Sequence, residues 1–212
     1  MQTRFLLVRH ATCARSEEVL FGRILDVPLD PNGRRQALAV AEHLRHEAPL
    51  RVESSPRRRA LETARALAVA ALCGLEIAPP LDELDFGDWA GRTFADLERE
   101  PGWRRWNQDR DHARTPTGTD IRSLQQDTSR YLSSLADRFA GATLVLVTHA
   151  EIIRSIILQC TGASASGYQD VPVDPASITR ISLDDRGMRV EAANEQAPSR
   201  RTATAHARET IP

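Results

Sequence analysis

A three-layer α/β/α fold with a mostly parallel central sheet is the class this sequence predicts, and three observations predict it. Short, wholly apolar runs alternate with longer segments whose apolar residues recur at helical spacing. The apolar runs stop abruptly at polar residues, as strands buried on both faces do. The chain has 212 residues, 41% hydrophobic and 27% charged, enough for one large core and too rich in core residues for a disordered or disulfide-stapled chain.

Taken in order, Phe5 to Val8 form the first buried strand, ending at Arg9-His10. Pro31-Asn32-Gly33 marks a turn into a helix with Ala37, Val40, Ala41, Leu44 and Ala48 on one face, ended by Pro49. A second strand, Leu50 to Glu53, runs into Ser54-Ser55-Pro56, where serine as N-cap and proline at the first helical position predict a helix start. That helix turns Ala60, Ala64, Leu67, Ala68 and Ala71 inward and is closed by Gly74. From Pro79 to Thr115 the pattern is irregular and holds all three tryptophans, as expected of loops and brief helices covering something. Ile121, Leu124, Thr128, Leu132, Leu135 and Phe139 mark a long amphipathic helix over Thr119 to Phe139. Ala142 to Val147 is the clearest strand, followed by His149 and an apolar helix from Ile152 to Leu158. Ser177 to Leu183 and Met188 to Ala192 read as two strands joined at Asp185-Arg186-Gly187. One catalytic domain over 1–194 and a flexible tail over 195–212 are expected.

The 28 basic and 29 acidic side chains leave a net charge of −1, which predicts neither nucleic-acid nor membrane-surface binding. Every basic residue is arginine. The absence of lysine excludes a P-loop lysine and Schiff-base chemistry, and leaves recognition of anions to guanidinium groups. Cys13, Cys73 and Cys160 are widely spaced and odd in number, so neither a disulfide framework nor a zinc site is expected. The opening apolar run is too short for a signal peptide, and no stretch approaches the roughly 20 apolar residues of a membrane span. A cytoplasmic protein is expected. The oligomeric state is left open.

In open α/β sheets, ligands bind beyond the carboxyl ends of the strands. Arg9 and His10 sit at one such end and His149 at another; Arg59 opens the helix after the second strand, and Glu83 lies in the irregular segment. This set suits phosphoryl transfer through histidine without a metal or cofactor. His10 can attack phosphorus, and Arg9 and Arg59 can fork onto the non-bridging oxygens. His149 can donate to those oxygens, and Glu83 can protonate the leaving alkoxide and then activate water. The two arginines are expected to keep His10 neutral. His43, His46, His112 and His206 have no such company and read as solvated, as do Arg57, Arg58, Arg104-Arg105 and Arg200-Arg201. The tryptophans read as core or lid packing, and Cys13 as a small packing residue.

Across residues 3–160 the chain resembles the histidine phosphatase superfamily, which includes the cofactor-dependent phosphoglycerate mutases. LLVRHAT (6–12), FGRILDVPLDPNGRRQA (21–37), SSPRRRALETA (54–64), LDELDFGDWAGR (81–92) and LVTHAEIIR (146–154) are similar to its ordered blocks. The resemblance implies a phosphoglycerate mutase-like fold, with His10 as nucleophile, Glu83 as acid, and Arg9, Arg59 and His149 completing the phosphate pocket. It further implies Ser16, Gly22, Arg23 and Ala150 as substrate-binding positions. The glycine that follows each family histidine is Ala11 or Ala150 here, and the pocket asparagine is Ser16. A positive φ at either alanine would cost roughly 1 kcal/mol. The expected activity is a metal-independent phosphomonoesterase acting on a small phosphorylated substrate, without cofactor, nucleic acid or membrane. Mutase-type transfer and a non-catalytic phospholigand-binding module are the alternatives.

Overall fold

The computed structural model describes residues 1–23 and 26–198. Its strands are β1 (Thr3–Arg9), β2 (Arg51–Ser54), β3 (Gly74–Ile77), β4 (Thr143–Thr148), β5 (Ile178–Asp184) and β6 (Gly187–Glu195). The helices are α1 (Pro31–Leu44), α2 (Arg58–Ala71), the short α3 (Phe94–Leu97) and α4 (Pro101–Gln108), α5 (Ile121–Arg138) and α6 (Ala150–Thr161). The six strands form one sheet in the order β3-β2-β4-β1-β5-β6. β3, β2, β4 and β1 pair in parallel; β5 is antiparallel to β1, and β6 to β5.

Alternation along the central strands builds the three layers. Phe5, Leu7, Leu144 and Leu146 face a core shared with α5, α6 and the tryptophan-bearing segment. Leu6, Val8, Val52, Val145 and Val147 face the opposite core, filled by α1 and α2. Trp89 and Trp106 are buried and Trp103 packs against Trp89 at 5.4 Å between ring centroids, so the tryptophans are core, as expected.

The register sets the site. Arg9 pairs with Thr148, and Ser54 with Val147, so three neighbouring strands end at one level. His10, Ser55 and His149 are the next residues along, and the His10 and Ser55 amides still donate to the Thr148 and Val147 carbonyls at 2.9 Å.

Several boundaries differ from the sequence expectation. α1 includes Pro31-Asn32-Gly33 as its first turn, capped by the Asp30 carboxylate accepting from the Gly33 amide at 2.6 Å, and it ends at Leu44. Ala48 has a left-handed backbone (φ 46) and is exposed, so its helical spacing carries no helix. α2 begins at Arg58, not beside Ser55: the Ser55 hydroxyl accepts from the Arg57 amide at 3.2 Å ahead of the helix and also meets His149. The helix is closed by Leu72 in the left-handed region (φ 54), which frees Gly74 to open β3, a strand not expected from sequence. β6 runs through Glu195, where Arg180 donates to its carboxylate at 2.7 Å. Most of the expected tail, with Arg200-Arg201 and His206, lies outside the described residues.

Gly33 lets α1 lie against the loop that follows His10. A Cβ there would sit 2.0 Å from the Thr12 carbonyl oxygen. The same loop is pinned by the Thr12 amide donating to Gln36 at 2.9 Å and the Thr12 hydroxyl donating to Asp30 at 3.0 Å. Gly33→Ala therefore has to push backbone against backbone, and a loss of about 3 kcal/mol is expected in urea unfolding. An unchanged midpoint would show that this contact does not hold the loop.

Candidate active site

Arg59 is the hub. It stands on the first turn of α2 and is 1% exposed. Its Nε donates to His10 Nε2 at 3.2 Å, and its Nη2 reaches His149 Nδ1 at 3.2 Å and the Gly22 carbonyl at 3.1 Å. The two imidazoles stand 5.1 Å apart between centroids, edge to face. Thr63, one turn along α2, accepts from the Ala11 amide at 3.1 Å and donates to the Arg59 carbonyl at 2.8 Å. It thus ties the loop after β1 to the arginine. Arg59 Nη1 and Arg9 Nε are buried donors with no partner among the described residues, which in a folded interior marks a place for an acceptor. Arg9 is steadied from outside by its Nη1 donating to the Val173 carbonyl at 2.6 Å.

His10 is oriented by its own chain. Nδ1 lies 2.9 Å from the Ala11 carbonyl oxygen, which can only accept, so Nδ1 carries the proton and Nε2 the lone pair. Burial pushes the imidazole pKa well below its ordinary value, and the Arg59 and Arg9 charges lower it further. The neutrality expected of His10 is found, with burial rather than the arginines as the larger cause. His149 is lowered in the same way, first by burial, then by Arg59, His10, Arg9 and Arg57.

Glu83 closes the cluster, its Oε2 3.5 Å from His149 Nδ1 and 3.8 Å from Arg59 Nη2. Burial pushes its carboxyl up to about 7 against the pull of Arg59, with help from Glu151, itself held by Arg110 at 2.8 Å. A carboxyl poised there can give and retake a proton near neutrality. The Thr148 hydroxyl donates to the Leu81 carbonyl at 2.7 Å, anchoring this acid loop to the end of β4.

The structure brings together all five residues named for the chemistry: Arg9, His10, Arg59, Glu83 and His149. Of the four binding positions, Gly22 (φ 55) meets Arg59 through its carbonyl, and a Cβ there would lie 2.8 Å from Ala90 Cβ. Arg23 donates to the Glu83 carbonyl and faces Asp82 and Asp85. Ala150 is the first residue of α6. Ser16 lies half-buried in the turn after Cys13, and its hydroxyl makes no hydrogen bond to these site groups. Neither Ala11 nor Ala150 has a positive φ, so the strain weighed for them does not arise.

Sequence reasoning missed a second tier. Ser55 Oγ lies 2.8 Å from His149 Nε2 and donates to Asp82 at 3.3 Å. Arg57, expected to be solvated, grips Asp82 with Nε and Nη2, each at 2.8 Å. The signal was the unused polarity of Ser-Ser-Pro and Asp-Glu, which reads equally as a helix cap and a surface carboxylate.

Two histidines on a guanidinium, with a carboxyl alongside, stand together at the ends of parallel strands. The chain belongs to the histidine phosphatase superfamily (branch 1), whose family model matches residues 5–196. It is similar to a bifunctional protein of Mycobacterium tuberculosis, 31% identical over 84% of this chain, and spans about half the length of that relative (49%). It is also similar to phosphoserine phosphatase 1 of Hydrogenobacter thermophilus, 27% identical over 86% of this chain and 88% of that one. Among solved structures, a mycobacterial glucosyl-3-phosphoglycerate phosphatase in complex with VO3 superposes with a TM-score of 0.81, at 26% identity over 91% of this chain and 99% of that one. Among the described residues, no helix is long and apolar enough to cross a membrane.

Proposed function

We propose that this protein is a metal-independent phosphomonoesterase that hydrolyses a small organic phosphate through a phosphohistidine on His10. The observation that carries the reading is Arg59 held between His10 Nε2 and His149 Nδ1, each at 3.2 Å, with a further buried donor that has no partner among the described residues. A phosphoryl group that took those donors would meet the lone pair of Nε2.

In the first step Nε2 bonds to phosphorus, the P–O bond to the leaving group breaks, and the Glu83 proton passes to the departing oxygen. In the second, the Glu83 carboxylate takes a proton from water, the water oxygen bonds to phosphorus, the N–P bond breaks, and inorganic phosphate leaves. Arg9 and Arg59 offset the charge on the non-bridging oxygens throughout. The Nδ1–H bond to Ala11 keeps the ring aimed in both steps. The relatives act, by their names, on phosphoserine and glucosyl-3-phosphoglycerate, so those esters head the substrate panel.

The pH dependence follows from the two perturbed groups. His10 must be neutral, and its lowered pKa satisfies that well below neutrality. Glu83 must be protonated, so kcat/KM is expected to fall as pH rises through about 7. Glu83→Gln is expected to lose about 10²–10³-fold on an alkyl phosphate and much less on an ester with an acidic phenol, whose leaving group needs no proton. The alkaline limb should vanish with it. An undiminished rate on the alkyl ester would remove Glu83 from the mechanism, and the absence of hydrolysis with any ester would favour a phospholigand-binding role.

A further inference from the structure

We propose that Asp82, acting through the Ser55 hydroxyl, fixes the His149 proton on Nε2 and so makes the ring a two-proton imidazolium when an oxyanion occupies Arg59. The second half rests on the phosphatase reading; the first does not.

Asp82 is 9% exposed, and its carboxylate meets only donors. Oδ1 accepts from Ser55 Oγ at 3.3 Å, Arg57 Nε at 2.8 Å and the Glu83 amide at 2.8 Å, and Oδ2 accepts from Arg57 Nη2 at 2.8 Å. A carboxylate so placed has nothing to donate. Ser55 must therefore spend its one proton on Asp82. Its remaining lone pairs take the Arg57 amide at 3.2 Å and His149 Nε2 at 2.8 Å, so Nε2 must be the protonated nitrogen. The other end of the ring agrees. Arg59 Nη2 can only donate, so Nδ1 accepts. Every proton from Arg59 to Asp82 then has one direction.

An oxyanion changes the demand on Nδ1, which must now donate. With Nε2 held by the relay, the ring cannot exchange tautomers; it takes one proton from solvent at Nδ1, which then donates to the oxyanion. The groups facing the ring set the balance. Arg59 from α2, Arg57 just before it, and Arg9 and His10 from the end of β1 oppose the positive ring, while Asp82 through Ser55, Glu83 and the arriving anion favour it. Asp82 and Ser55 are thus positioning residues, and Asp82 joins the acid loop to the phosphate pocket.

The test is ring-nitrogen NMR on the full-length protein with ¹⁵N-histidine, the His149 signals identified by their loss in His149→Gln, with and without inorganic phosphate. The expected wild-type pattern at neutral pH is a proton on Nε2 alone, and on both nitrogens once phosphate is added. Asp82→Asn, whose amide can donate, should admit the Nδ1–H tautomer and lose the doubly protonated ring at that pH. Ser55→Ala should do the same, and Ser55→Thr should restore the wild-type pattern. A wild-type ring protonated on Nδ1 without phosphate would overturn the proposal, as would an unchanged pattern in both Asp82→Asn and Ser55→Ala. The signals need no turnover: this proton pattern in a protein that hydrolyses no ester would sustain the Nε2 assignment and refute the phosphatase reading.

Discussion

His10→Ala removes turnover: kcat/KM falls on the order of 10⁶-fold, the scale of deleting a catalytic nucleophile. Nothing else in the pocket can replace it. The other imidazole, His149, has Nδ1 committed to Arg59 and Nε2 to Ser55. Glu83 carries its proton below about pH 7 and makes a poor nucleophile there. Binding should survive, because Arg9, Arg59 and His149 remain, so inorganic phosphate is expected to bind the variant about as well as wild type. Steady-state assay and calorimetric titration of phosphate check both halves. A variant that keeps a tenth of wild-type activity would move the nucleophile elsewhere.

Arg59→Met separates function from stability. The guanidinium is buried at heavy desolvation cost, which lowers its own pKa despite Glu83 nearby, and its Nη1 has no partner among the described residues. Relief of that desolvation offsets the lost bonds to His10, His149 and the Gly22 carbonyl, and an apolar side chain of similar length is expected to leave the unfolding midpoint close to that of wild type. Activity should fall by about 10³–10⁵-fold, the range of an arginine that neutralises a transferring phosphoryl group. Thermal unfolding and kinetics on one preparation decide it. A destabilisation of about 3–5 kcal/mol, the scale of breaking a buried ion pair by removing one partner, would make Arg59 a structural residue first.

Arg9, His10 and His149 were legible because they stand at breaks in pattern, whereas Arg59 and Glu83 were singled out by the family resemblance of their segments. Arg9-His10 and His149 follow apolar runs that end abruptly, and Arg59 stands on the first turn of the helix after β2. The cores were legible from alternation and helical spacing, as Leu6 and Val8 against Phe5 and Leu7 show. What stayed hidden depends on partners distant in sequence. The Ser55 hydroxyl takes the Arg57 amide as a helix-start serine would, and only the packing of β2 beside β4 adds His149 to it. Arg57 looks like any arginine at a helix start until Asp82, 25 residues on, comes within reach. β3 escaped because four residues at a sheet edge, three of them exposed, leave no apolar pattern. Ala48 and Leu72 misled in the opposite sense: both adopt left-handed backbone without being glycine, so neither helix end carries the usual signal.

The central claim is that His10 Nε2 carries the phosphoryl group between substrate and water. Rapid quenching into alkali with ³²P-labelled ester, followed by peptide mapping, tests it most directly. The account predicts up to one phosphoryl group per chain, stable to alkali, labile to acid and located on His10. Complete turnover with no label on the protein, or label on any other residue, would contradict it.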